Sequence, residues 1–475
     1  MLLVALLAVP LVAAALLSRA SGRVAGVVHA FAATATSALA LTTAVVVMRE
    51  TSVEALEGFL RADALSAWMV ALVGVVAGLA SFEAPHYARG ADTRRFLPFF
   101  HLFVFTMLLA VTTDDVGFMW VAVEGTTLAS VFLVNFERTR ASLEASYKYV
   151  LICSVGIAVA FLGTVLIYFA DVTRAGDVEH ALRWTTLRRL APALPAGVVE
   201  MAFVFLLVGY GTKAGLAPMH TWLPDAHSEA PAPVSAMMSG ILLAIGLYAV
   251  LRFKPIVDLA AGPPVARRLL IGLGLASMSV AAAFLWNPHN YKRMLAYSSV
   301  EHLGLVSLGL GFGGPWGLAG AMLHIANHAL AKSVLFLLSG RIRAAYASTD
   351  VSAVRGLLTR LPVSGRLFLA AMLALMGLPP FGLFVSEVMI FGAGFAAGQI
   401  AAAVTGLVLL LIAFAGTLNA LQRMLHGNAA GRGVEPHVWA SAPMIAALAL
   451  LVLTGLAWPP GLAEALAAIA SVIAP

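Results

Sequence analysis

Along nearly its whole length the chain alternates between long apolar runs and short polar links. A helix needs about 20 apolar residues to cross about 30 Å of hydrocarbon, and by that measure the pattern predicts about fourteen spans. They lie at roughly 1–18, 24–48, 64–82, 96–113, 115–136, 146–170, 198–223, 233–252, 268–287, 296–314, 316–340, 365–396, 400–422 and 440–458. The links are mostly short, so no soluble domain is inserted. The longest, about 171–197, is mixed in charge, contains Pro192 and Pro195, and reads as an external loop with room for a short helix. Residues 1–18 lack a basic leading region and a clear cleavage site, and read as a first span rather than a signal peptide.

Composition agrees: 61% of residues are AVILMFWYC and 11% are Asp, Glu, Lys or Arg, where a soluble domain carries about 25% charged residues. A soluble enzyme, a disordered chain, a coiled coil and a secreted disulfide scaffold are excluded. The single cysteine, Cys153, cannot form an intrachain disulfide, a Cys-ligated zinc site or an iron–sulfur cluster. The net charge of +6 is scattered over short links, which orients a membrane protein and is no nucleic-acid footprint. Links after odd-numbered spans carry most of the Lys and Arg, Arg89, Arg94, Arg95, Lys292, Arg293 and Arg432 among them. The excess of basic residues on the cytoplasmic side puts both termini on the outer face.

The candidate chemistry lies in ionisable groups at membrane depth, each costing about 2.5–3.5 kcal/mol at a helix centre. Glu124 falls about nine residues into its span, near the midplane at about 1.5 Å per residue. Lys213 sits in a glycine-rich stretch. His324, His328 and Lys332 follow one another in steps of four and share one sector of a helix. Glu387 follows a Pro-Pro break, and His101, His220, Glu301 and His302 lie nearer span ends. Singly, each has a bland reading: a structural ion pair, a packed histidine, or a residue facing the polar interface. The His324/His328 spacing could suit a metal, but no carboxylate or third histidine lies near in sequence, and no metal is expected. Together they are more than packing requires and have the make-up of a proton relay.

Two spans are interrupted alike. Gly215-Leu216-Ala217-Pro218 and Gly377-Leu378-Pro379-Pro380 share the pattern Gly-Leu-x-Pro, each beside a charge, Lys213 or Glu387. Irregular backbone at this depth survives only where protein or a water-filled cavity covers it. Paired broken helices mark a repeat-built transporter, and the odd number of intervening spans predicts inverted repeats. The run Gly309 to Gly314 fits GxGxxG but ends an apolar helix with no strand before it, so it is not read as a nucleotide site. No redox cofactor site is found.

Lys213 to Pro231 (KAGLAPMHTWLPDAHSEAP), Lys292 to Gly304 (KRMLAYSSVEHLG), His328 to Phe336 (HALAKSVLF) and Gly377 to Glu387 resemble the antiporter-like proton-channel subunits of respiratory complex I and the Mrp-type sodium/proton antiporters. Glu301 before His302, Ser228-Glu229 after His227 and the short C-terminus are most similar to hydrogenase-4 component F and related membrane subunits of group-4 hydrogenases. There is no room after the last span for the long lateral helix of the most distal complex I type.

The resemblance implies an all-α membrane protein of about fourteen helices. Its two inverted five-helix repeats, at 96–255 and 265–425, would each contain a broken helix, flanked by N-terminal helices (1–95) and a C-terminal helix (440–475). It further implies a proton-translocating subunit of a redox-driven complex in the bacterial inner membrane, without redox chemistry of its own, with other membrane subunits and a soluble redox module as partners. Glu124 would be the ion-pair partner of Lys213, the switching proton carrier. His328 and Lys332 would pass the proton laterally, and Glu387 would release or receive it; His302, matching the family's tenth-helix histidine, His324 and His220 complete the proton-translocation set. Ala244 departs from the pattern, standing where complex I relatives often carry a central lysine; His220, His227 or water would carry the proton there. The alternatives are a sodium/proton antiporter subunit, a structural or quinone-site subunit, and a proton-coupled subunit of an inorganic-carbon uptake complex.

Overall fold

The computed structural model describes residues 1–87, 92–175, 181–428, 433–435 and 437–474. Arg89 and Arg432 of the orientation argument lie outside the described residues. Helices α1 (Leu2–Leu17) and α2 (Gly22–Glu50) lead to a hairpin of β1 (Val53–Ala55) and β2 (Leu60–Ala62), then to α3 (Ala64–Tyr87), α4 (Thr93–Thr112), α5 (Val116–Val134), α6 (Arg140–Ala175), α7 (Trp184–Leu190) and α8 (Ala196–Ala214). There follow α9 (Trp222–Glu229), α10 (Ala232–Met237), α11 (Leu243–Ala261), α12 (Pro264–Leu285), α13 (Tyr291–Phe312) and α14 (Gly314–Tyr346). The described chain is completed by α15 (Leu357–Arg360), α16 (Pro362–Leu375), α17 (Gly382–Ala396), α18 (Ile400–Leu425), α19 (Ala442–Leu456) and α20 (Leu462–Ile473).

Among the described residues eleven helices are long and apolar enough to cross a membrane, and four shorter apolar helices accompany them. Every apolar segment of the sequence falls on a helix, and those at 198–223 and 365–396 each fall on a broken pair, α8/α9 and α16/α17. The short helix expected in the longest link is α7. The hairpin and α20 were not expected. The hairpin follows from a short alternation in the link: Val53, Ala55, Leu60 and Ala62 face one side, while Glu54 and Arg61 are paired opposite each other and lie 3.4 Å apart.

The chain forms two compact units: Met1–Gly215 with Ile241–Leu269 and Glu464–Pro475, and Leu216–Gly240 with Leu270–Ala463. In the first, the polar end is organised by Arg252 of α11. Its guanidinium grips Asp63 with both branches, Nη1 to Oδ2 at 2.6 Å and Nη2 to Oδ1 at 2.8 Å. It also donates to Ser66 Oγ at 2.6 Å and Tyr248 OH at 2.9 Å. Asp63 in turn accepts the Ser66 backbone N–H at 3.0 Å, capping α3. The Trp184 indole donates to the Arg252 carbonyl at 2.6 Å and its ring lies under the guanidinium. In the second unit α14 is wholly buried over its apolar window. Met278, Leu305, Leu308, Phe312, Ile390 and Phe391 form an apolar cluster there, and Glu435 accepts the Val363 and Ser364 N–H groups at the start of α16.

The two helix breaks have one geometry. Gly215 ends α8 with φ +75° and Gly377 follows α16 with φ +65°; that left-handed backbone is open to glycine at little cost. A cis X–Pro peptide follows each, Ala217–Pro218 and Pro379–Pro380.

Burial raises the Asp63 carboxyl, but the Arg252 charge and hydrogen bonds outweigh it and hold the group well below the usual carboxylate range. Because the folded value is depressed, the pair's contribution is present above about pH 4 and is lost as pH falls through the lower folded value. Asp63→Asn leaves the Arg252 charge buried and uncompensated, and is expected to cost about 3–5 kcal/mol. Thermal unfolding of the detergent-solubilised protein checks this: a shift no larger than that of Ser18→Ala, at an exposed helix end, refutes it.

Candidate functional site

In the first unit the sequence-selected Glu124 and Lys213 come together through a hydroxyl. Lys213, in the last turn of α8 and fully buried, donates to Thr127 Oγ1 at 2.7 Å and Tyr149 OH at 2.9 Å. Its ammonium also lies 5.0 Å from the centre of the Tyr149 ring, a favourable place for a cation. Thr127 Oγ1 donates onward to Glu124 Oε2 at 3.3 Å, and Ser154 Oγ donates to Glu124 Oε1 at 2.6 Å. The direct ion pair expected from the sequence is therefore replaced by a bridge, Glu124–Thr127–Lys213. The helix itself sets this up: Thr127 is three residues after Glu124 and faces the same way. Near Lys213, α11 approaches so closely that a Cβ on Gly246 would lie 2.6 Å from the Ala214 nitrogen. Ala244, on that same helix, is buried and offers no polar group.

In the second unit His302, His324, His328, Lys332 and Glu387 share one buried region. His302 Nδ1 lies 2.9 Å from His324 Nε2, and His324 Nδ1 lies 2.9 Å from Ser386 Oγ. The His328 ring centre is 5.2 Å from that of His302. One turn further along α14, Lys332 donates to the Leu295 carbonyl and to Ser298 Oγ of α13. Glu387 is buried beside the break: a Cβ on Gly377 would stand 2.1 Å from its Oε2. Glu301, next to His302, is buried too. His220 packs near the Tyr297 ring, 6.2 Å between centres, apart from this histidine chain. His227 is fully buried against Phe336, and among the described residues neither of its ring nitrogens has a hydrogen-bond partner. Lys292 closes the end of α9 by donating to the Ser228 and Ala230 carbonyls at 2.6 and 2.9 Å. His101, in the first unit, bonds to His29 at 3.0 Å.

The hydroxyl partners Thr127, Tyr149, Ser154, Ser298 and Ser386 were not singled out in the sequence, because Ser and Thr bonded to their own helix are common in apolar spans and carry no pattern of their own. Only Thr127 and Ser386, close in sequence to Glu124 and Glu387, had a local signal.

Residues 113–413 match the family described as "NADH:quinone oxidoreductase/Mrp antiporter, TM". The chain belongs to that family. It is 38% identical over 366 residues to a hydrogenase-4 component F homolog of Methylacidiphilum infernorum, covering 76% of this chain and 75% of that one. It is 32% identical over 347 residues to hydrogenase-4 component B of Escherichia coli, covering 69% of this chain and 50% of that longer protein. A chain of the archaeal membrane-bound sulfane sulfur reductase, a respiratory membrane complex, shares the fold with a TM-score of 0.90 over 99% of this chain and 97% of its own, at 22% identity. The protein is thus a multi-pass, antiporter-like membrane subunit of the hydrogenase-4/complex I type.

Gly377→Ala forces both a left-handed alanine, at about 1–2 kcal/mol, and a methyl group into the Glu387 carboxylate. Gly398→Ala carries the backbone cost alone, since its φ is +69° and its Cβ would meet open space. Thermal unfolding should show a clearly larger loss for Gly377→Ala; equal losses would mean the carboxylate simply moves aside.

Proposed function

We propose that this subunit moves protons along its membrane-embedded series of titratable groups, driven by a redox partner. The observation that carries this reading is the setting of the two buried amines. Among the described residues neither Lys213 nor Lys332 forms an ion pair; each is met by neutral hydroxyl, phenol or carbonyl oxygens. An ammonium so held can lose and regain its proton without a closed salt bridge being broken. Glu124 acts on Lys213 through Thr127. Lys332, His328, His302 and His324 form the lateral series, Glu387 is its terminal acid, and His220 lies at the second unit's entry. Coupling is electrostatic: at an effective dielectric constant of about 20, unit charges about 4 Å apart interact by about 4 kcal/mol, so small movements of Glu124 shift the Lys213 proton balance. The shared Gly-Leu-x-Pro breaks support inverted repeats at 96–255 and 265–425 within flanking helices 1–95 and 440–475. The basic links support an inner-membrane orientation with both termini outside. The names of the relatives support a hydrogenase or quinone-reductase module as electron donor, with other membrane subunits beside this one.

Vesicles reconstituted with the purified complex test the reading. Lys213→Ala and Lys332→Ala should each reduce redox-driven acidification to the background leak while the subunit remains assembled. Wild-type acidification in either variant refutes the relay, and loss of the complex before loss of transport favours a structural role. Transport that follows sodium at constant pH favours an Mrp-type exchange.

A further inference from the structure

The histidine chain in the second unit holds two ring nitrogens in close approach. The Ser386 hydroxyl gives its proton to the Leu383 carbonyl at 2.8 Å, so toward His324 Nδ1 it can only accept, and that nitrogen is the donor. A neutral His324 therefore turns the lone pair of Nε2 toward His302. His302 Nδ1 stands 2.9 Å from that nitrogen, and a neutral His302 carrying its proton on Nδ1 donates it there. The two nitrogens thus share one proton across 2.9 Å, the place a metal ion would take.

We propose that His302, His324 and Glu387 form a binding site for a divalent d-block ion of the zinc class, which displaces the shared proton. Their donor atoms all lie within 4.8 Å of one another. A tetrahedral ion with ligands at about 2.0–2.1 Å places its donors about 3.3 Å apart, so the two imidazole nitrogens are already nearly spaced for it. Glu387 is nine-tenths buried, and among the described residues its Oε1 has no hydrogen-bond partner, leaving that oxygen a lone pair to offer an ion. Two imidazoles and one carboxylate suit Zn²⁺ or Co²⁺ rather than the oxygen-seeking Mg²⁺ and Ca²⁺. The Ser386 bond to His324 is the outer support that fixes a metal-ligating tautomer. A cavity of about 20 Å³ lined by Ser298, Glu301, His302, Leu375, Met376 and Thr417 borders the His302 ligand and is large enough for one water. The three ligands come from α13, α14 and α17, which is why no metal spacing was visible in the sequence. Occupancy pins these residues and stops the proposed relay; that consequence rests on the relay reading, whereas binding does not.

Titration of the tag-free complex with Co²⁺ alone should give the intense visible bands of a four-coordinate ion, at one equivalent and displaced by Zn²⁺. The signal should be lost in His324→Gln and Glu387→Gln and kept in His289→Gln, an exposed histidine. Absence of the bands, their survival in His324→Gln, or their loss in His289→Gln overturns the site. Since a buried substitution can unfold the bundle, X-ray absorption of the Zn²⁺-loaded unaltered protein is the second measurement. It should show two imidazoles and oxygen at about 2.0–2.1 Å; an oxygen-only or single-imidazole shell overturns the proposal. Inhibition of vesicle acidification by Zn²⁺ is read separately. Binding without inhibition refutes the relay reading and leaves the site standing.

Discussion

A polar group held among hydrocarbon chains has to find its partners inside the protein, and that constraint organises this molecule. It explains why Arg252 takes two oxygens of Asp63, the Ser66 hydroxyl and the Tyr248 phenol at once. It explains why Lys292 caps two carbonyls at the end of α9, and why hydroxyls surround Lys213. The charges differ in how they are answered. Arg252 is locked by a carboxylate, while among the described residues Lys213 and Lys332 hydrogen-bond only to neutral oxygens.

That difference is not one of burial, since Arg252, Lys213 and Lys332 are all buried. Two of the buried charged residues also stand beside backbone irregularity. Lys213 stands just before one break and Glu387 just after the other, where carbonyls and glycine backbone can approach a charge that a continuous helix would hold at a distance. The helix breaks are in this sense a source of ligands as much as hinges in the chain.

Much of this could be read without coordinates. Runs of apolar residues located the helices, and charges within them located Glu124, Lys213, Lys332 and Glu387, because a charge in hydrocarbon is costly enough to be conspicuous. Gly-Leu-x-Pro located both breaks. What escaped was chemistry assembled from separate helices. The Thr127 bridge depends on which faces of α5 and α8 come together, the Ser386 support and the meeting of His302, His324 and Glu387 on those of α13, α14 and α17, and residue spacing within one helix carries no such information. The β1/β2 hairpin escaped for another reason: three-residue strands leave too short an alternation to stand out beside spans several times longer.

Residues Met238–Leu242, between α10 and α11, wind as a π-helix rather than an α-helix. A wider turn of this kind accommodates an additional residue over nearly the same rise, and each residue of an α-helix turns the next by about 100°. Ala244 and every side chain after it are therefore swung round relative to an unbroken helix starting at Ala232.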